Sequence, residues 1–205
     1  MQHLPPSKFR RCKAPHPSAI NYYELKMSKN VPLQWFNLDF NPGDTLSSVT
    51  EQLKSKKRLD LTQLPNSVYV IRLAGNFAID YKNGVSPTIY IGQGKFRGRL
   101  NAHRKWLAKL HGLVAETPLQ VKFCMPRSAE GAPINRDLEA FLLKSFEAKF
   151  GERPLQNKQS GKLSDSYSFP QGKIGHVLGT GAGKSYAWAI RPLRANPYFK
   201  PGDNA

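Results

Sequence analysis

Thr88–His103, TIYIGQGKFRGRLNAH, is the stretch around which the chain is organised. Thr88-Ile89-Tyr90-Ile91 is β-branched and aromatic, the composition of a half-buried strand. Gly92 and Gly94 interrupt it, and glycine permits a turn or a close backbone approach. A helical pattern follows from about Gly98 to Leu110. At helical spacing Leu100, Trp106, Leu107 and Leu110 form one apolar face.

Arg99 and His103 project from the middle of that face, one turn apart, whereas Arg104, Lys105 and Lys109 fall elsewhere. A charge aimed at a core is costly unless it is paired or faces a polar cleft. Two readings stand: Arg99 covers apolar surface with its stem beside a hydrogen-bonded core histidine, or both residues face a functional cleft.

Upstream, Ser67-Val68-Tyr69-Val70-Ile71 is a second β-rich run. With Tyr90-Ile91-Gly92 it resembles the paired signature of the GIY-YIG nuclease family. Ser67-Val68-Tyr69 stands where the family has Gly-Ile-Tyr, with the tyrosine kept. Arg99 and His103 fall where the family carries an arginine and a histidine on its first helix. Glu139, on a second helix, and Asn157, after Pro154-Leu155-Gln156, follow in the family's order. The resemblance covers about residues 67–157.

It implies an α/β fold, a small layered domain with a central three-stranded antiparallel sheet flanked by helices. A basic N-terminal extension with one helix (1–66) and a basic C-terminal extension (158–205) would flank that core. It also implies a metal-dependent endonuclease acting on DNA. In that chemistry Tyr69 is the general base, its phenol acidified by its surroundings. Tyr90 binds the phosphate or the attacking water, and Arg99 neutralises developing charge. His103 relays the proton or tunes Tyr69. Glu139 holds one divalent cation, Mg²⁺ or Mn²⁺, and Asn157 supports the site. Arg97 competes for the arginine role, but the spacing to His103 favours Arg99.

Charge agrees with a polyanionic partner. The chain of 205 residues carries a net charge of +17 and a pI near 10.0, a balance that points to nucleic acid. Such charge can also serve as a solubilising surface or draw a protein to a membrane surface. No apolar run is long enough to span a membrane. Two cysteines, Cys12 and Cys124, make neither a disulfide framework nor a zinc site. The first residues lack the apolar segment of a signal peptide, which leads to a cytoplasmic expectation. Single-stranded DNA or RNA remains an alternative substrate, and a non-catalytic nucleic-acid-binding module an alternative class.

Residues 1 to about 30 read as a proline-broken basic arm, either along a phosphate backbone or solvated. Trp35, Phe36 and Phe40 are expected to pack on the main domain. Asp44 is expected to cap a helix carrying Leu46, Val49 and Leu53 and ending in Lys54, Lys56, Lys57 and Arg58. Ala74–Pro87 is expected to be an inserted loop or a lengthened hairpin. Leu119–Met125 alternates like a strand, and Asn135 is expected to cap a helix stopping at Gly151. On that helix Glu139 shares the arc of Leu142, Leu143, Phe146 and Phe150, so its carboxylate needs a metal or an ion pair with Arg99. Ser185–Arg191 could be a strand. Gly179–Ser185, GTGAGKS, is one residue short of a P-loop, and too little chain follows for a nucleotide domain, so it reads as a glycine turn.

Overall fold

The computed structural model describes residues 29–41, 43–74, 77–113, 119–163, 167–179 and 188–190. In chain order these form β1 (Lys29–Asn30), β2 (Phe36–Phe40), α1 (Leu46–Lys57), β3 (Asn66–Leu73), β4 (Phe77–Tyr81), β5 (Gly84–Ser86) and β6 (Thr88–Lys95). Then come α2 (Phe96–Leu113), β7 (Leu119–Cys124), α3 (Asn135–Phe150), β8 (Tyr167–Ser168), α4 (Gln171–Leu178) and β9 (Trp188–Ile190). The architecture is mixed α/β. The basic arm up to residue 28 lies outside the described residues, as does the glycine turn beyond Gly179.

The central sheet is antiparallel and runs β2-β7-β3-β6. It therefore has four strands, not the expected three. The extra strand is β2, whose Leu38 and Phe40 are buried while Asn37 and Asp39 are exposed. That period-2 alternation is itself a strand signal. Phe36, Leu38 and Phe40 lie opposite Phe123, Val121 and Leu119, so the aromatic segment joins the sheet by pairing as well as by packing. Strands β3 and β7 are central and covered on both faces, which explains their nearly continuous burial.

One face of the sheet carries Tyr69, Phe123 and Tyr90. Tyr69 lies opposite Phe123 and Gly92, and Tyr90 lies opposite Ile71, two positions on. Helix α2 packs on this face and begins at Phe96, two residues before the expected start, because that ring stacks on Phe123 at 4.5 Å between centroids. The other face meets the end of α4. There Arg72 donates to the carbonyls of His176 and Gly179, and Lys122 donates to that of His176. Cations at a helix C-terminus satisfy orphan carbonyls and oppose the helix dipole.

The stretch between the tyrosine motifs is a hairpin, β4–β5, whose sheet is completed by β9 in parallel on β4. Gly84 closes its turn at φ 133°, a conformation L side chains rarely adopt. Helix α1 is capped by Thr45 rather than Asp44, through a reciprocal Thr45–Ser48 capping box; Asp44 instead accepts from the Asn41 N–H. Asn135 is the first residue of α3 instead of its cap, and Gly151 ends that helix at φ 77° as expected. Residues from Val31 to Leu178 share one apolar core.

Candidate active site

Tyr69 sits mid-strand in β3 and is only 1 % exposed. Tyr90 stands beside it on β6, with ring centroids 6.0 Å apart. Gly92 is what lets the two hydroxyls converge. A Cβ at that position would come within 2.9 Å of both phenolic oxygens and 2.5 Å of the Tyr90 ring. The glycine thus leaves the space in which the hydroxyls meet.

Helix α2 adds His103 to this pair. Its Nε2 lies 2.9 Å from the Tyr69 hydroxyl, and its ring centroid lies 4.7 Å from that of Tyr90. One turn further on, the Trp106 indole N–H donates to His103 Nδ1 at 2.9 Å. Arg99 is exposed, with its Nε across Gly94, where a Cβ would stand 3.2 Å away. Gly94 has φ 133°, so backbone geometry and the space taken by Arg99 both favour glycine. The charge of Arg99 acts on Tyr69, His103 and Glu139 alike, which distinguishes it from Arg97.

Glu139 approaches from α3, half-buried, beside the backbone N–H of Gln93. Burial raises its carboxyl above the ordinary range, and Arg99, that N–H and Arg136 oppose the shift. Among the described residues no direct ion pair joins Arg99 to Glu139. Asn157 turns its amide to the backbone of β6. Its Oδ1 accepts from the Ile91 N–H at 2.9 Å and its Nδ2 donates to the Ile91 carbonyl at 2.7 Å. The adjacent Gln156 N–H donates to the Ile89 carbonyl. Loop 156–161 is thereby held along β6, and with Tyr90 and Glu139 it lines a cleft of about 480 Å³.

The resting electrostatics differ from the expectation of an acidified phenol. Burial and the neighbouring Tyr90 push Tyr69 up, against the lowering pull of Arg99. His103 is pushed down to about 4, first by burial and then by Arg99. Both groups are therefore neutral in the resting protein at pH 7.

Glu139 is the side chain of this group that could hold a divalent cation. Among the described residues no three His, Cys, Asp or Glu side chains cluster. Glu139 offers one desolvated carboxylate at a polar cleft, suiting an ion such as Mg²⁺ that keeps most of its water. Cys124 is buried, and burial raises its thiol. Among the described residues no helix is long and apolar enough to cross a membrane.

The spacing of Arg99 and His103 announces their meeting, and the two β runs announce the tyrosine pair. Two participants escape such a reading. Trp106 reads in the sequence only as part of the apolar face, although it lies three residues after His103, within side-chain reach on a helix. The lining loop 156–161 has no periodicity to announce it. The chain matches no protein-family model, no curated protein and no solved structure.

Proposed function

We propose that this chain is a metal-dependent endonuclease of the GIY-YIG type, hydrolysing phosphodiester bonds in DNA. The observation that carries the reading is the convergence of Tyr69, Tyr90, His103, Arg99 and Glu139, from two strands and two helices, near one polar cleft. Phosphodiester hydrolysis needs an activated water, a cation against the phosphate and support for the leaving oxygen.

Arg99 neutralises the phosphate from the exposed edge of the group, where its charge reaches Tyr69, His103 and Glu139. Tyr90 lines the cleft and holds a phosphate oxygen or the attacking water. Tyr69 takes the proton of that water. Its phenol starts neutral, so it becomes a base only as positive charge gathers against it, and Arg99 is the resident part of that charge. Glu139 would hold a divalent cation, Mg²⁺ or Mn²⁺, which when bound supplies charge against the phosphate and the leaving oxygen. Asn157 shapes the cleft by fixing its wall.

Nucleic acid as partner follows from the net charge of +17. Lys54, Lys56, Lys57 and Arg58, all exposed at the end of α1, are a further candidate for phosphate contact.

The test is incubation with labelled duplex DNA, single-stranded DNA and RNA, with Mg²⁺ or with EDTA. Cleavage of duplex DNA only when Mg²⁺ is present supports the reading. Cleavage confined to RNA or single strands transfers the activity to that substrate. Tight binding without cleavage of any substrate overturns the enzyme reading in favour of a binding module.

A further inference from the structure

The Trp106–His103–Tyr69 chain has a direction. Indole Nε1 carries a hydrogen and has no acceptor lone pair, so it can only donate. The atom it meets, His103 Nδ1 at 2.9 Å, must therefore accept and be unprotonated. A neutral imidazole then carries its one hydrogen on Nε2, the atom 2.9 Å from the Tyr69 hydroxyl. The doubly protonated ring would set Nδ1–H against the indole N–H, two donors face to face. Burial and then the Arg99 cation on α2 favour the same neutral form, with the Tyr69 and Tyr90 rings from β3 and β6 packed against the imidazole.

We propose that Trp106 is a positioning residue that locks His103 as its Nε2–H tautomer, so that His103 donates to the Tyr69 oxygen and does not receive the Tyr69 proton. The tautomer stands on geometry alone; its catalytic meaning rests on the nuclease reading above. A donor on the Tyr69 oxygen favours the phenolate that general-base chemistry needs. The proton leaving Tyr69 finds Nε2 already occupied. It leaves on the other side of the oxygen by the Tyr90 hydroxyl, which takes it up as its own proton passes to water in the cleft that Tyr90 lines. His103 therefore tunes the base instead of relaying its proton.

The experiment is long-range ¹H–¹⁵N NMR of the full chain labelled at histidine, with the His103 signals identified by their loss in His103→Gln. Wild type should show a pyrrole-like, protonated Nε2 and a pyridine-like Nδ1 at neutral pH. Trp106→Phe keeps an apolar ring and removes the donor, so both nitrogens should move toward the averaged values of exchanging tautomers. In that variant kcat for DNA should fall roughly tenfold or more with KM little changed, an effect that simple loosening of the helix would not confine to kcat. A wild-type ring protonated at Nδ1 overturns the proposal on its own, even if the variant does not fold. So does a folded Trp106→Phe with an unchanged ring spectrum. Wild type that shows the expected ring pattern but cuts no nucleic acid overturns the nuclease reading and leaves the tautomer standing.

Discussion

Tyr69→Phe removes the hydroxyl that hydrogen-bonds His103 and leaves the ring that packs edge-on against Phe96. Turnover should vanish while DNA binding persists, measured by cleavage and binding on the same duplex. Normal cleavage would pass the base role to Tyr90. Glu139 makes a second prediction, and it concerns pH. Its carboxyl is raised from an ordinary value of 4.5 because burial penalises the charged form. The folded protein thus holds that proton more tightly than the unfolded chain does. The resulting stability is full below about pH 4.5 and is lost as pH rises through the raised folded value. Glu139→Gln has no such dependence. In EDTA at pH 7 it should melt at or above wild type, by up to about 1 kcal/mol, with the gap closing toward acid and metal-dependent cleavage gone. A loss of ~3 kcal/mol would instead mean that the charge is held by a structural ion pair. At this scale spacing was legible and environment was not. A helical wheel puts Arg99 beside His103, but the burial that keeps Tyr69 protonated is a property of four elements together.

Strand β2 carried its signal openly in Phe36, Leu38 and Phe40 alternating with Asn37 and Asp39. Its partner, β7, lies roughly eighty residues later, and no local pattern names a partner that distant. The hairpin β4–β5 was one of two readings of its stretch, beside an inserted loop, and its role was legible in neither. Tyr81, at the end of β4, donates its hydroxyl to the Thr88 carbonyl, accepts from the Leu155 N–H at 3.2 Å, and packs edge-on against Phe146. It ties the inserted element to the start of β6 and to the loop that lines the cleft. Tyr81→Phe should cost about 1–2 kcal/mol in denaturant unfolding. It should also speed amide exchange at Leu155 and Gln156 relative to β3 and β7. Uniformly faster exchange would show the hairpin to be a general brace with no special hold on the cleft wall.

Across the whole molecule charge is the most legible property, with 31 Lys and Arg against 14 Asp and Glu. Affinity for duplex DNA should fall linearly in log–log terms with salt, as counterions are released from each neutralised phosphate. An affinity that does not change with ionic strength would remove the nucleic-acid partner. Which strand lies at the rim of the central sheet could not be read from sequence, because strand order depends on contacts between distant segments. The rims are β2 and β6, and β6 is the strand carrying Tyr90. A bare strand rim invites another chain to pair with it, and proteins guard against this by covering it. Here the guard is residues 156–157: Asn157 engages both the N–H and the carbonyl of Ile91, as a neighbouring strand would, and the Gln156 N–H takes the Ile89 carbonyl. Asn157→Ala uncovers that pair, and it should drive concentration-dependent self-association, visible as a rising sedimentation coefficient, before it affects chemistry. The residue that shapes the cleft would then also keep two copies of the protein from joining edge to edge along β6.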